Sequence, residues 1–235
     1  MTYPVVVLCI AAAITTGMIL FIVPVFAEMF ASFRQTLPAP TLVLMKISNG
    51  LRQYLPVVVV ALALGVTAFR KWKATPAGAY ALDRFLLRVP VFGDLNRKVA
   101  SARFARTFGQ LARSGVPILS ALEIAAGSTG NKVAARLVLD SRAVVEKGDL
   151  LSAAMLDQPV FDPMLVDMLQ AGEKTGKIDE MMAFTADYFD DEVNTSLDSL
   201  TSLLEPILMV LLGAIIGGIV VCMFLPIFKM PTLMG

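Results

Sequence analysis

The sequence predicts an all-α membrane protein, with three transmembrane helices and a cytoplasmic bundle of about six helices. Three observations carry this. Of the 235 residues, 57% are hydrophobic and only 17% are charged, and mean hydropathy is +0.73, whereas a soluble domain carries about 25% charged residues. The apolar excess is collected into three uncharged stretches. The charge is collected elsewhere: residues 70–204 hold 16 of the 20 basic and 17 of the 19 acidic side chains. That segment is punctuated throughout by helix caps and stops, with no strand-type alternation bounded by hairpin turns.

Residues 1–27 carry no charged side chain and form the first transmembrane helix. A cleaved leader needs a basic start and an apolar run of only about 7–15 residues. Neither is present, so the helix reads as permanent. Residues 28–53 form an outer, periplasmic loop. The second transmembrane helix is 54–70. Its uncharged core, Leu55–Phe69, covers only about 22 Å at 1.5 Å per residue, against a hydrocarbon thickness of about 30 Å. Tyr54 at one end and Arg70, Lys71, Trp72 and Lys73 at the other supply interfacial anchors and snorkelling cations. The third helix is 205–228, whose uncharged part Pro206–Phe228 spans about 34 Å. Residues 229–235 are a periplasmic tail. Arg70, Lys71, Lys73, Arg84 and Arg88 outnumber Arg34, Lys46 and Arg52, which places 71–204 in the cytoplasm by the positive-inside rule. Pro24 and Pro226 fall near outer ends, where a missing N–H is readily hydrated.

Within the cytoplasmic domain, Thr75-Pro76 is an N-cap followed by proline at the first helical position, and that helix stops before Pro90. A longer helix runs from about Asp94 to Ser114, with Phe104, Phe108 and Leu111 on one face. Pro117 opens the next, which closes near Gly127. Residues 130–147 form another, ended by Gly148, and Asp149 caps a short one after it. Asp162-Pro163 repeats the cap-and-proline signal, with Gly172 as the stop. From about Ile178 a long helix runs to Leu204 and on into the last span.

Composition excludes several function classes. There is no histidine, which removes Ser-His-Asp triads, Cys-His pairs and HExxH zinc sites together. Cys9 and Cys222 are too few and too distant for a disulfide framework or a metal site, and read as small apolar packing residues. A net charge of +1 argues against a nucleic-acid partner. No ionisable residue lies inside a predicted span, which disfavours a transporter or pump. Gly172-Glu173-Lys174-Thr175-Gly176-Lys177-Ile178 resembles a phosphate loop only superficially. It has three residues between its glycines rather than four and Ile where Ser or Thr would hold magnesium. No catalytic residue, cofactor or metal ligand is assigned.

The candidate sites are surfaces. Asp187, Asp191, Asp198 and Glu205 lie on the last long helix, the final three seven apart and so in one stripe. That stripe is either a solvated face or a surface for a partner or a divalent cation. Arg103 and Arg106, with Arg97, Lys98 and Arg113, form a basic helix that is similarly solvated or partner-facing. Gly213, Gly217 and Gly218 make a small-residue step suited to close helix packing.

The chain resembles the platform proteins of type II secretion and type IV pilus assembly. The resemblance rests on Phe104–Leu122 with Arg106, Gly115 and Pro117, then Val145–Leu150, Phe161 and Pro163, then Gly172–Ile178, then Leu203-Leu204-Glu205-Pro206 and Leu225-Pro226-Ile227-Phe228. Val23-Pro24 and Leu37-Pro38 of the outer loop agree. Tyr188–Val193 and Met223–Lys229 are closer to the pilus branch than to the secretion branch. Tyr3-Pro4 matches the family's Tyr-Pro before its first span, so the chain corresponds to the C-terminal portion, without the related first cytoplasmic domain. The resemblance implies a non-enzymatic inner-membrane scaffold. Its implied partners are a hexameric cytoplasmic ATPase, pilin or pseudopilin subunits, other inner-membrane assembly proteins and further copies of itself. The alternatives are the secretion branch and, from another class, a membrane transporter or enzyme.

Overall fold

Helix signals in the sequence become helices throughout the computed structural model, which describes residues 2–32, 39–156 and 158–229. In chain order these are α1 (Thr2–Gly17), a π turn (Met18–Ile22), α2 (Val23–Ser32), α3 (Ala39–Ala74), α4 (Pro76–Leu86), α5 (Phe92–Arg113), α6 (Ile118–Ser128), α7 (Lys132–Val145), α8 (Leu151–Met155), α9 (Pro163–Thr175) and α10 (Ile178–Lys229). No strand occurs among the described residues. Three helical stretches, Val5–Phe26, Pro40–Ala74 and Ile178–Leu225, are long and apolar enough to cross a membrane. The chain divides into two units. One joins residues 1–67 to 198–235, and the other is 68–197.

The second unit is organised around an apolar core. Its core is built on α5, where Phe104 and Phe108 are fully buried and stack with ring centroids 5.3 Å apart. Phe161 closes on Phe104 at 5.5 Å, and Leu122, Val138, Met155, Leu165, Leu169, Met182 and Phe189 fill the remainder. Alanines at 105, 121, 125 and 134, all fully buried, let the helices approach closely. At Gly109 the approach is close, since a Cβ there would stand 2.9 Å from the Met182 Cβ.

The predicted caps hold at two places: Thr75 Oγ1 accepts from the Gly78 N–H, and Asp162 Oδ1 from Met164. Asn131, not singled out from the sequence, also caps, its Oδ1 accepting from Val133 and Ala134. Two signals are corrected. Asp149 does not cap α8: the N-cap is Leu150, which has no capping side chain. The N–H groups of Leu151 and Ser152 instead donate to the Glu173 carboxylate on α9, at 2.6 and 3.2 Å. Nor does Gly172 stop α9. That helix continues to Thr175, and Gly176, at φ 73, is the left-handed cap. Gly172 is needed for closeness, because a Cβ there would lie 2.9 Å from the Ile178 Cα.

Between α4 and α5 the chain reverses through a γ-turn. Val91 sits at φ 69, ψ −55, and the Phe92 N–H donates to the Pro90 carbonyl at 2.8 Å. This hand of γ-turn is rare and strained, and a β-branched residue is the worst choice for it.

In the first unit the helices pack through a small cluster. Val23, Leu44, Ile219 and Met223 are buried, with Met18, Ile19, Phe26, Met45 and Cys222 against them. Cys222 therefore packs as expected, but Cys9 is exposed. The predicted outer loop 28–53 is largely helix: α2 extends to Ser32 and α3 begins at Ala39. Residues 33–38, with the Leu37-Pro38 of that loop, and the tail beyond 229 lie outside the described residues. No ionisable residue is expected inside a span, yet a residue of the predicted loop reaches into one. The Arg52 guanidinium donates to the carbonyl of Leu20, seven residues before the end of the predicted first span, or about 10 Å along a helix.

Candidate functional site

The basic helix and the acidic helix of the sequence are brought together, against each other. In the bundle unit, α5 lies along the start of α10 with Gly109 against Met182. Polar residues flanking that apolar seam then meet across it. Arg106 is forked between two carboxylates one turn apart on α10: its Nη1 donates to Asp187 Oδ1 at 2.8 Å and its Nη2 to Asp190. Eight residues earlier on α5, Lys98 Nζ donates to Glu192 Oε2 at 2.9 Å and lies 3.2 Å from Asp94. The hydrogen bond to Glu192 is the chief reason that the Lys98 ammonium is held above its ordinary pKa, with Asp94 adding to it and partial burial opposing. The Arg106 guanidinium is raised for the same kind of reason, by Asp190 first and Asp187 second.

Asp187 and Arg106 therefore face one another, a pairing that the solvated and partner-facing readings do not include. Asp191 is exposed and makes no ion pair among the described residues. Arg103 is exposed, and its guanidinium lies over the turn between α6 and α7, where a Cβ on Gly130 would be 2.1 Å from Nη1. Between Arg103 and Arg106 is a hollow of ≈ 250 Å³ that also takes in Thr107, Ser128 and Asp190. Asp198 and Glu205 lie on the part of α10 that belongs to the other unit and are exposed.

At the small-residue step, a Cβ on Gly213, Gly217 or Gly218 would meet nothing within 4 Å among the described residues.

Several functional-looking carboxylates turn out to be caps. Glu173 holds α8, Asp162 opens α9, and Asp83 on α4 accepts the Lys132 N–H of α7 at 2.7 Å. Sequence spacing identifies Asp162, because its donor is local. Glu173 and Asp83 act over 21–22 and 49 residues, and only a motif seen whole would draw attention to Glu173. Among the described residues no group of three or more His, Cys, Asp or Glu side chains is arranged to hold a metal ion.

Comparison with known proteins matches this construction. The profile of "Type II secretion system (T2SS), protein F" covers residues 104–226, which takes in the Phe104 core, the Arg106 fork, the Glu173 cap and most of α10. The chain is 39% identical to the type IV pilus assembly protein PilC of Myxococcus xanthus, over 98% of this chain and 55% of that protein. It is 42% identical to PilC of Thermus thermophilus, over 97% of this chain and 57% of the relative. Against the type II secretion system protein F of Pseudomonas aeruginosa the identity is 33%, over 99% of this chain and 58% of the relative. The chain thus spans a little over half the length of these relatives. With a match that runs from the aromatic core through the last apolar helix, the chain belongs to the type II secretion system protein F family.

Proposed function

We propose that this chain is part of an inner-membrane platform for type IV pilus assembly, with 71–204 in the cytoplasm, and that it couples a cytoplasmic ATPase to insertion or extraction of pilin subunits. The observation that carries the pilus branch is the ordering of likeness. Relatives named for pilus assembly are 36–42% identical, and those named for type II secretion are 29–33% identical. The role is that of a scaffold. Several carboxylates, among them Glu173, Asp162, Asp187 and Glu192, are engaged in caps and ion pairs, and the polar seam of α5 and α10 gives the bundle a charged flank on which an ATPase can act. Other inner-membrane assembly proteins and further copies of the chain are proposed neighbours.

The deciding experiment is complementation in a host deleted for its own platform gene, with the chain placed in its full-length context. Restored piliation with co-purification of the pilus ATPase supports the reading. Restored secretion without pili assigns the other branch. Orientation is tested by single cysteines in a background without Cys9 and Cys222. Asp140→Cys, on an exposed side chain of α7, is expected to be shielded from impermeant thiol reagents in intact cells. Gln53→Cys is expected to label. The reverse pattern inverts the topology.

A further inference from the structure

The first apolar helix is interrupted, and the interruption is filled from the second. In the π turn the Val23 N–H bonds the Met18 carbonyl, one residue further than the α register. The Ile19 carbonyl thereby loses Val23 as its donor. At π spacing its next donor would be the nitrogen of residue 24, and at α spacing the Leu20 carbonyl looks to that same nitrogen. Residue 24 is proline and has no N–H. One missing hydrogen so leaves two carbonyls without a ladder partner, in a helix apolar enough to stand in lipid, where no water would replace the donors.

Both carbonyls are occupied by side chains of α3. Ser48 Oγ donates to Ile19 O at 2.6 Å. Arg52 Nε donates to Leu20 O at 3.0 Å, and its Nη2 reaches the same oxygen. Ser48 and Arg52 are four residues apart and so share a helix face. Thr41, seven residues before Ser48, lies on that face too, and its hydroxyl donates to the Cys222 carbonyl at 2.7 Å. Ser48 is 1% exposed. A cavity of ≈ 180 Å³ beside the joint is lined by Pro24, Glu28, Asn49 and Arg52 among others.

We infer that Ser48 and Arg52 are positioning residues that latch this joint, supplying the two donors that the π turn and Pro24 remove and thereby tying α1 and α2 to the register of α3. Arg52 acts here as a hydrogen-bond donor to backbone. Its charge is secondary, and no ion pair to Glu28 is present among the described residues.

Proline at 24 makes the idea separable from ordinary packing. Pro24→Ala restores an N–H, so it should relieve the need for the latch. The test uses the full chain in lipid nanodiscs, read by thermal unfolding and by amide hydrogen exchange of the segment 17–27. Arg52→Leu is expected to lower the melting temperature and to speed exchange of that segment roughly tenfold, with Arg52→Lys largely retaining protection. In the Pro24→Ala background the effect of Arg52→Leu should fall to less than half. A loss that only reflected packing or charge would be equal in both backgrounds, and that equality overturns the inference. If Arg52→Leu does not accumulate in folded form, Ser48→Ala removes a single hydroxyl and is compared across the same two backgrounds by the same criterion.

Discussion

The two units of this chain are held together by opposite means. In residues 68–197 the buried cluster comprises 22 apolar residues, and its polar groups serve mainly at helix ends. In the membrane-type unit, among the described residues, the buried cluster is Val23, Leu44, Ile219 and Met223, and the side chains of Val57–Val60 and Leu203–Ile207 that are large and apolar face outward. There the specific ties between helices are hydroxyls and a guanidinium on carbonyl oxygens. The difference is what solvent dictates. Water drives apolar surface together, whereas lipid offers no such gain, so helices are fixed by close packing and hydrogen bonds.

Substitutions should break this contrast in a graded way. The largest effect belongs to Phe104→Ala in the bundle core, which is expected to cost about 3–5 kcal/mol in denaturant unfolding, while Val60→Ala on the exposed face of α3 should leave the unfolding midpoint within about 0.5 kcal/mol. Comparable losses for the two would erase the distinction. Next comes Glu173→Ala, which strands two N–H groups of α8 and should cost about 1–3 kcal/mol, with exchange rising first in residues 150–155. Glu173→Gln keeps one of the two acceptor oxygens and should lose less.

A gain is expected from Val91→Gly, which removes the left-handed strain at φ 69 and should stabilise the bundle by about 1 kcal/mol, the low end for a residue held in a sparsely populated region. A destabilised variant would mean that the exposed Val91 side chain makes contacts that outweigh the strain. Smaller still is the Arg106 fork. Its side chains are 40–71% exposed, so Arg106→Ala should cost about 0.5 kcal/mol or less. The triple change Asp187→Asn, Asp191→Asn and Asp198→Asn should be similarly mild for stability. If it nevertheless abolishes piliation and ATPase co-purification in the full-length protein, these carboxylates serve a partner.

The least visible effect is that of pH. Lys98 has its pKa raised by Glu192, so its contribution is complete below its ordinary value of 10.5 and is lost only as pH climbs through the higher folded value. Unfolding curves followed between pH 9 and 11.5 should show Lys98→Met insensitive to the change that the parent chain undergoes at the alkaline end.

What the sequence made legible follows the same division. Cap-and-proline pairs at Thr75-Pro76 and Asp162-Pro163 located helix starts because the donor, the acceptor and the fixed φ lie within four residues. The run Pro206–Phe228 was legible because apolar length is a local property. Three things were hidden. The continuity of α3 through Lys46 and Arg52 was obscured because charges normally end a span, and only the orphaned carbonyls of Ile19 and Leu20 explain why a guanidinium belongs there. Pro24 signalled a missing N–H but not the π turn that doubles its effect. The pairing of Arg106 with Asp187 and Asp190 joins residues more than 80 apart, so nothing in their spacing along the chain shows that the two charged helices face each other.

The Glu173 cap has a consequence for the order in which the polypeptide acquires structure as it leaves the ribosome. Helix α7 emerges with its acceptors already made, since Asp83 and Asn131 both precede it. Helix α8, of five residues, is too short to persist alone, and its capping carboxylate is synthesised 21–22 residues later. Residues 151–155 must therefore wait, unwound, for α9, and with them waits Met155, which is 1% exposed in the finished core. Synthesis runs from the N-terminus, but this stretch closes backwards, after the segment that follows it.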